Sequence, residues 1–227
     1  MNIIDLLPIA LLGGVLGLDV VSFPQAMISR PLVAATLGAA LLGQPALGLL
    51  LGVALELIAL ETLPFGASRY PEWGSAAVVG GAIFAAHPTQ PAGAMTLAIL
   101  AALATTWVGG WSMVKLRQLN GVWAARRRAA LEAGARGTVI SLQLMGMTAD
   151  LVRGTVLTAI AYALLAPLAN ACIELWSTDA RISRAIVVGA AASVAGGAAW
   201  KIFHSTAGAR WFFFGGLAFG LFLLFVK

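Results

Sequence analysis

Residues 30–72 read RPLVAATLGAALLGQPALGLLLGVALELIALETLPFGASRYPE, and no charged residue occurs from Pro31 to Leu55. An uncharged stretch of this length can cross the hydrocarbon core of a bilayer, which needs about 20 residues of helix. The stretch ends at Glu56. A carboxylate in the middle of a membrane costs about 3 kcal/mol by insertion scales, so it usually faces a bundle interior, a cavity or a substrate. This segment decides the fold class and is the first place to look for function.

The composition of the whole chain is that of a membrane protein. Hydrophobic residues make up 60% of the 227 residues, charged residues only 10%, and the mean hydropathy is +0.94, which excludes an ordinary soluble domain. Further uncharged runs cover residues 6–18, 20–29, 73–114, 154–173, 185–200 and 211–226. A lipid-exposed backbone must satisfy its own hydrogen bonds, and a barrel would show alternating segments of about ten residues. We therefore predict helices.

Prolines and glycines interrupt the apolar runs of the N-terminal half. Pro24 interrupts the run of residues 20–29, Gln44-Pro45 splits the run that begins at Pro31, and His87-Pro88-Thr89-Gln90-Pro91 divides the run of residues 73–114. Each piece around Gln44-Pro45 is shorter than a full span. Short paired segments of this kind indicate re-entrant hairpins or discontinuous helices that line a cavity. The predicted fold class is an all-α polytopic membrane protein, a helical bundle with broken or re-entrant hairpin segments in the N-terminal half.

A basic segment divides the chain. Six of the fourteen Lys and Arg residues lie in residues 115–136, where Glu132 is the only acid. The positive-inside rule predicts that this segment is cytoplasmic, and binding of lipid head groups or of a soluble partner are the alternatives. The charge therefore indicates topology, and we expect no nucleic-acid partner.

The predicted regions follow from that division. They are an N-terminal membrane region (1–114) with broken helices and the substrate site, a basic cytoplasmic loop (115–136) and C-terminal membrane helices (137–227). Residues 116–134 are either a helix on the inner membrane surface or a solvated linker. Within the last region we predict spans near residues 154–173, 185–203 and 209–226, and an amphipathic helix over residues 138–150.

Small residues and a carboxylate share one predicted helix face. Gly48, Gly52 and Glu56 recur at i, i+4 and i+8, so the glycines allow close backbone approach and Glu56 ends the strip. Glu61 is five residues further on and points away from Glu56. Arg30 before Pro31 either anchors a helix end at the membrane surface or, like Arg69, pairs with Glu56 across the fold.

Motifs of known catalytic machinery are absent from the sequence. It contains no Gly-x-Ser-x-Gly, no His-Glu-x-x-His, no phosphate-binding glycine loop with lysine and no cysteine pair for a metal. His87 and His204 stand alone. We therefore expect no catalytic residue, no metal site and no cofactor.

The same residues carry a resemblance to a known family. The chain resembles the membrane subunit IIC of the mannose/fructose/sorbose class of the bacterial sugar phosphotransferase system, and the matching pieces align without gaps across residues 30–72. They are Arg30-Pro31-Leu32-Val33, Gly48, Gly52, Leu55-Glu56-Leu57-Ile58-Ala59-Leu60, Gly66-Ala67 and Pro71-Glu72, with Gln25 upstream. The chain differs from the family pattern at Gln44, Glu61 and Pro64.

The resemblance implies a function and partners. It implies a multi-pass sugar permease subunit of the bacterial inner membrane that pairs with a membrane subunit, IID. Soluble IIA and IIB proteins would carry the phosphoryl group, so this chain would be a transport subunit with no phosphorylated residue of its own. We also expect an oligomer within the lipid bilayer.

The resemblance also implies a substrate site among the broken segments. Glu56 would accept hydrogen bonds from sugar hydroxyls, because a carboxylate in a dry site makes strong charge-assisted bonds. Gln25 and Ser68 would add neutral hydrogen bonds, and Gly66 would let the backbone come close. Arg30 and Arg69 complete the predicted set.

Two other functions remain open from the sequence. One keeps the fold but makes the chain a sugar sensor or a degenerate transporter of another polar solute. The other is an unrelated proton-coupled transporter or intramembrane enzyme that uses Glu56 and Glu61 as a proton relay.

Overall fold

The computed structural model describes residues 3–62, 71–204 and 206–225, and within these ranges the chain is helical without a strand. The helices are α1 (Ile3–Asp19), α2 (Pro31–Ala40), α3 (Pro45–Ala59), α4 (Trp73–Ala85), α5 (Ala94–Arg126), α6 (Arg128–Glu132), α7 (Arg136–Glu174), α8 (Ala180–Phe203) and α9 (Ala209–Phe225), with a 3₁₀ turn (Leu60–Thr62) after α3. The predicted fold class is confirmed.

The predicted breaks of the N-terminal half are confirmed at Pro24, at Gln44-Pro45 and after His87. Helices α2 and α3 form a hairpin around Gly43, whose φ of +74° suits glycine. Both helices begin with proline, which lacks the N–H that a first turn leaves without an intrahelical partner. The two arms are too short to span a bilayer singly, as expected for a re-entrant hairpin.

Helix α4 lies at the centre of the bundle. All of its residues from Gly74 to Ala85 are buried, and it packs against α1, α2, α3, α5 and α7. Because α7 also packs against α1 and α5, the helices before and after the basic segment share one core.

Small residues set the distances between these helices. A Cβ on Gly48 would stand 2.4 Å from the backbone oxygen of Ala35, so α3 lies directly on α2 as the glycine spacing predicted. A Cβ on Gly13 would stand 2.1 Å from Thr158 Oγ1, which brings α1 equally close to α7. By contrast, Gly189 on α8 has nothing within 4 Å of its Cβ position, so the predicted small-residue spacing there makes no such contact in the described part of the chain.

The basic segment is mostly helical, which corrects the expected loop and the expected separate surface helix. Helix α5 continues to Arg126, and α6 follows after one residue. The sequence WAARRRAALEA contains good helix formers and no proline, so the charges do not end the helix. Residues 138–150 likewise form the first part of α7 and not a separate amphipathic helix.

Helices α5 and α7 are longer than a bilayer is thick. At 1.5 Å per residue they extend about 50 and about 58 Å, against about 30 Å for the hydrocarbon core. The stretch of α5 from Ala94 to Lys115 covers about 31 Å. The end of α5 and the beginning of α7 therefore continue beyond the membrane on the side of the basic residues.

The predicted spans of the C-terminal part are confirmed as helices. Residues 154–173 lie in α7, residues 185–203 in α8, and α9 covers the third segment except for its last residue. In the described ranges α5, α7 and α8 are long and apolar enough to cross a membrane. Exposed apolar side chains on α8 and α9, such as Ile186 and Phe212, suit contact with lipid.

Candidate functional site

The connection between α1 and α2, residues 20–30, is folded around the carboxylate of Asp19. Its Oδ1 accepts a hydrogen bond from Ala26 N (2.7 Å), its Oδ2 accepts one from Ser29 N (2.9 Å), and the residue is 2% exposed. Gln25 and Met27 have left-handed φ angles of 58° and 62°. Non-glycine residues hold such angles only when their surroundings impose them, at a cost of about 1–3 kcal/mol each. Asp19 therefore organises this loop, a role that the sequence did not predict.

Arg30 and Glu56 form the predicted pair across the hairpin. Arg30 Nε donates to Glu56 Oε1 (2.7 Å), and Nη2 contacts the same oxygen. Glu56 Oε2 accepts a hydrogen bond from Leu32 N (3.2 Å) in the first turn of α2. The N-cap residue of this helix, Arg30, makes no capping hydrogen bond with its own side chain. Glu56 thus neutralises Arg30 and caps α2 from the neighbouring helix. Between the two interpretations of Arg30, pairing is confirmed.

A cavity of about 430 Å³, the loop-end cavity, lies beside this pair. Its lining consists of Asp19, Val20, Val21, Gln25, Met27, Ser29, Arg30, Pro31, Ala59, Pro71 and Trp73. The volume falls within the range of about 300–1,000 Å³ of small-molecule sites. Of the predicted site residues, Gln25 and Arg30 are on the wall, whereas Glu56 is bonded to Arg30 and is not a lining residue.

The other predicted site residues, Gly66, Ser68 and Arg69, lie outside the described residues. The described residues on either side of that stretch include Ala59 and Pro71, and both line the loop-end cavity. Gln25 donates its amide Nε2 to the backbone oxygen of Val21 (2.8 Å), so its side chain is held against the loop that carries it.

A buried polar network that the sequence did not predict lies next to this loop. Arg153 donates from Nε to Asp150 Oδ1 (2.9 Å) and from Nη1 to Ser112 Oγ (3.1 Å), and Ser22 donates its hydroxyl to Asp150 Oδ2. Asp150 is 1% exposed. The network joins the loop after α1 to α5 and α7. Ser22 and Ser112 are so far from Asp150 and Arg153 in the sequence that no spacing pattern could predict these contacts. The one local signal was Asp150 three residues before Arg153 in an apolar helix, a spacing that places both on one face.

Glu72 belongs to the same buried region. It is 1% exposed, caps α4 by accepting a hydrogen bond from Ser75 N (3.0 Å) with Oε1, and its backbone oxygen accepts from Thr106 Oγ1 (2.6 Å). In the described ranges its Oε2 has no hydrogen-bond partner. Glu72 Oε1 and Arg153 Nη2 both lie within 4 Å of where a Cβ on Gly17 would stand, so the two charges are near neighbours.

Glu61 has a different environment from Glu56. It is paired with Lys201 of α8, with 3.1 Å between Oε1 and Nζ, and its side chain is 40% exposed. Glu56 binds Arg30 at the start of α2, whereas Glu61 binds Lys201 of α8, which agrees with the prediction that the two carboxylates point apart. This arrangement gives no support to a proton relay from one to the other.

A second, larger cavity lies at the opposite end of the bundle, where the hairpin turns. It measures about 800 Å³, and the polar members of its lining are Gln44, His87, Tyr162 and Asn170. His87 Nδ1 is 3.0 Å from the backbone oxygen of Ile83, so the imidazole is engaged within its own turn. The described residues contain no group of three or more His, Cys, Asp or Glu side chains that could hold a metal ion.

The described residues thus form a bundle of long apolar helices around a short helical hairpin, with a cavity at each end of that hairpin. The family model described as "PTS system sorbose-specific iic component" matches residues 3–223. The chain belongs to this family.

A solved structure described only as "Structure of membrane protein" has the same fold. The two chains superpose with a TM-score of 0.74 at 18% sequence identity, and the match covers 100% of this chain and 92% of that chain. No curated protein matches the chain.

The family membership fixes the general function. The chain is a membrane sugar permease subunit of a sorbose/mannose-type phosphotransferase system, and the resemblance found in the sequence is confirmed. As a member of this family it is a transport-channel subunit, its substrate is a sugar, and its partners in general are IID, IIA and IIB components. The sensor, degenerate-transporter and proton-coupled alternatives gain no support.

Proposed function

We propose that the loop-end cavity is where this permease binds its sugar. The observation that carries the proposal is that Gln25 and Arg30, two residues predicted from the sequence, line one cavity of about 430 Å³. Guanidinium and amide groups are suitable hydrogen-bond partners for sugar hydroxyls, and Trp73 supplies an aromatic wall for the apolar side of the ring. Gly66, Ser68 and Arg69 complete the proposed site.

Glu56 acts in this proposal mainly through Arg30. It holds the guanidinium by a short charge-assisted bond and fixes the first turn of α2, so the hydrogen-bonding groups of the site are in place before the sugar arrives. Its side chain is 23% exposed, which leaves a direct bond from Glu56 to a sugar hydroxyl as a further part of the proposal.

The finer functional assignments are proposals as well. The chain carries no phosphorylated residue, works as part of an oligomer in the bacterial inner membrane, and has its sugar site within residues 1–114. The basic residues at the end of α5 then mark the cytoplasmic face, and the cavity at the hairpin turn opens to the other side. Residues 115–136 and 137–227 remain the proposed cytoplasmic and C-terminal regions, with the helical continuity described above.

Transport assays test the proposal. The chain is co-expressed with its IID, IIA and IIB partners, and uptake of labelled mannose, fructose and sorbose is followed into membrane vesicles loaded with phosphoenolpyruvate and with host cytosol. The soluble phosphotransfer proteins of the cytosol pass the phosphoryl group from phosphoenolpyruvate to IIA. We expect uptake that needs phosphoenolpyruvate, falls at least tenfold in Glu56→Gln and Arg30→Lys, and is unchanged in Gly189→Ala, whose methyl group meets nothing within 4 Å. Uptake driven by a proton gradient without phosphorylation would contradict the function, and full uptake in both site variants would contradict the site.

A further inference from the structure

A cleft of about 350 Å³ lies between α5 and α7, beyond the loop that follows α1. We call it the α5–α7 cleft. Its lining consists of Ser22, Asn120, Trp123, Ala124, Leu142, Gln143, Gly146 and Met147. None of these residues lines the loop-end cavity, and the site assigned above does not use them.

The cleft offers hydrogen-bonding groups of the kind that bind sugars. Asn120 Oδ1 is buried and accepts no hydrogen bond from the described residues. A buried acceptor without a partner costs about 1–3 kcal/mol, and rotation of the Asn120 amide toward the cleft would let a ligand donor offset that cost. Gln143 adds a second amide, and the indole of Trp123 adds an apolar face with one N–H. Convergent neutral polar groups beside an aromatic ring are the usual lining of a small-molecule site.

Positive charge lies at the outer end of the cleft. Arg127 follows Trp123 by four residues and donates from Nη1 to Ser141 Oγ (3.0 Å), so it bridges α5 and α7 next to Leu142. Residues 115–136 contain six basic residues and one acid, a formal net charge of +5. Arginine binds phosphate well because its planar N–H groups match two phosphate oxygens at once.

The cleft and the loop-end cavity lie on two sides of one loop. Val20, Val21 and Gln25 line the loop-end cavity, whereas Ser22 lines the α5–α7 cleft and donates its hydroxyl to Asp150 of α7. The loop that follows α1 therefore contributes residues to both cavities.

From these observations we propose that the α5–α7 cleft is a second carbohydrate site that holds a phosphorylated sugar. The sugar ring lies against Trp123, its hydroxyls bond to Asn120 and Gln143, and its phosphate is bound by Arg127. The proposal rests on the proposed function in that the ligand is the phosphorylated product of the transported sugar. The site would retain this product on the cytoplasmic side of the loop.

Equilibrium binding to the complex with IID in nanodiscs tests the proposal. The probes are labelled mannose 6-phosphate, fructose 1-phosphate and sorbose 1-phosphate, each compared with its parent sugar and with inorganic phosphate. We expect at least one sugar phosphate to bind. Asn120→Ala, Trp123→Ala and Arg127→Gln should each weaken its binding about tenfold, the effect of one lost hydrogen bond or contact, without changing the affinity of the parent sugar.

A matched glycine pair on α7 gives a control that does not depend on removing a side chain. A Cβ on Gly146 would stand 3.5 Å from Asn120 Nδ2, in ordinary contact inside the cleft, whereas a Cβ on Gly137 meets nothing within 4 Å. Both variants should fold, because alanine is the better helix former. Gly146→Ala should weaken binding of the sugar phosphate severalfold, and Gly137→Ala should leave it unchanged.

The two proposals fail in different ways. Glu56→Gln should weaken binding of the parent sugar and leave binding of the sugar phosphate unaffected. If Glu56→Gln does not change binding of the parent sugar, that result contradicts only the assignment of the loop-end cavity. The proposal for the α5–α7 cleft would be overturned if sugar phosphate bound equally well to Asn120→Ala and Gly146→Ala as to the unchanged protein. Loss of sugar-phosphate binding in Glu56→Gln would overturn it too, as would inorganic phosphate that binds with the same affinity as the sugar phosphate. Absence of binding by all three sugar phosphates at millimolar concentration would overturn it as well.

Discussion

At the scale of single residues, the polar side chains next to the hairpin hold other groups in place. Glu56 accepts hydrogen bonds from both Arg30 and the first turn of α2. Asp19 accepts hydrogen bonds from the backbone N–H groups of Ala26 and Ser29. An acid in an apolar chain is costly unless it is paired. These acids are therefore parts of the scaffold that shapes the loop-end cavity.

A double-mutant cycle measures the strength of the Arg30–Glu56 pair. We expect a coupling free energy of about 1–3 kcal/mol between Arg30→Ala and Glu56→Ala, because the bond is charge-assisted and the side chains are only 33% and 23% exposed. The measurement is unfolding by denaturant in mixed micelles. The exposed pair Arg128–Glu132, with side chains 80% and 63% exposed, is the control and should couple by less than about 0.5 kcal/mol. Equal coupling in the two pairs would contradict the structural role of Glu56.

At the scale of helices, backbone contact through glycine replaces the side-chain packing of soluble proteins. The hairpin arms meet at Gly48, and α1 meets α7 at Gly13. Such contacts suit a membrane, where lipid removes the hydrophobic drive for helix association and close van der Waals packing matters more.

Substituting one glycine in the hairpin should separate its arms. Gly48→Ala places a methyl group 2.4 Å from the backbone oxygen of Ala35, which cannot rotate away, so we expect a loss of about 1–3 kcal/mol of stability. In Gly189→Ala on α8 the new methyl group has no atom within 4 Å, so this substitution should leave the stability unchanged or raise it slightly. Thermal unfolding of the purified variants in one detergent makes the comparison, and equal midpoints would refute the close packing of α2 and α3.

Local signals in the sequence predicted the breaks and the hairpin. Proline cannot donate the N–H that a helix interior needs, so Pro45 and Pro24 revealed the interruptions directly. The spacing of Gly48, Gly52 and Glu56 predicted which face of α3 meets its neighbour. Such signals fail where partners are distant in the chain. Ser22 and Asp150 are 128 residues apart, and nothing in either neighbourhood indicates the other.

The length of the long helices was missed for another physical reason. The charges between residues 115 and 136 predict a loop, yet arginine is a good helix former and its head group can reach water beyond the bilayer. Of the proposed site, the sequence alone suggests Gln25, Arg30 and Glu56, and their assignment to the sugar site stays a prediction. The contacts of Asp19 and Arg153 depend on the tertiary fold, and no local pattern reveals them.

At the scale of the whole molecule, the long helices define two ends. Arg128 lies in α6, just before α7 begins, and Thr178 lies just after α7 ends, while α7 itself is about 58 Å long. The basic end is expected to be cytoplasmic.

Labelling of single cysteines checks that topology. In a Cys172→Ser background, Arg128→Cys should react with a membrane-impermeant maleimide only in inside-out vesicles, and Thr178→Cys only in right-side-out vesicles. Both native side chains are exposed, so access to the residue does not limit the reaction. The reverse pattern would invert the topology, and reaction of both positions from one side would contradict a membrane-crossing α7.

The most direct test of the central claim is protection of the loop-end cavity by the transported sugar. In the Cys172→Ser background, Gln25→Cys is treated with a small thiol reagent while sugar is added at rising concentration, and Arg128→Cys serves as the control outside the cavity. We predict that sugar slows the labelling of Gln25→Cys at least fivefold, with half protection near the KM for uptake measured on that same variant, and leaves the labelling of Arg128→Cys unchanged. An equal labelling rate of Gln25→Cys with and without saturating sugar would contradict the assignment of this cavity as the sugar site.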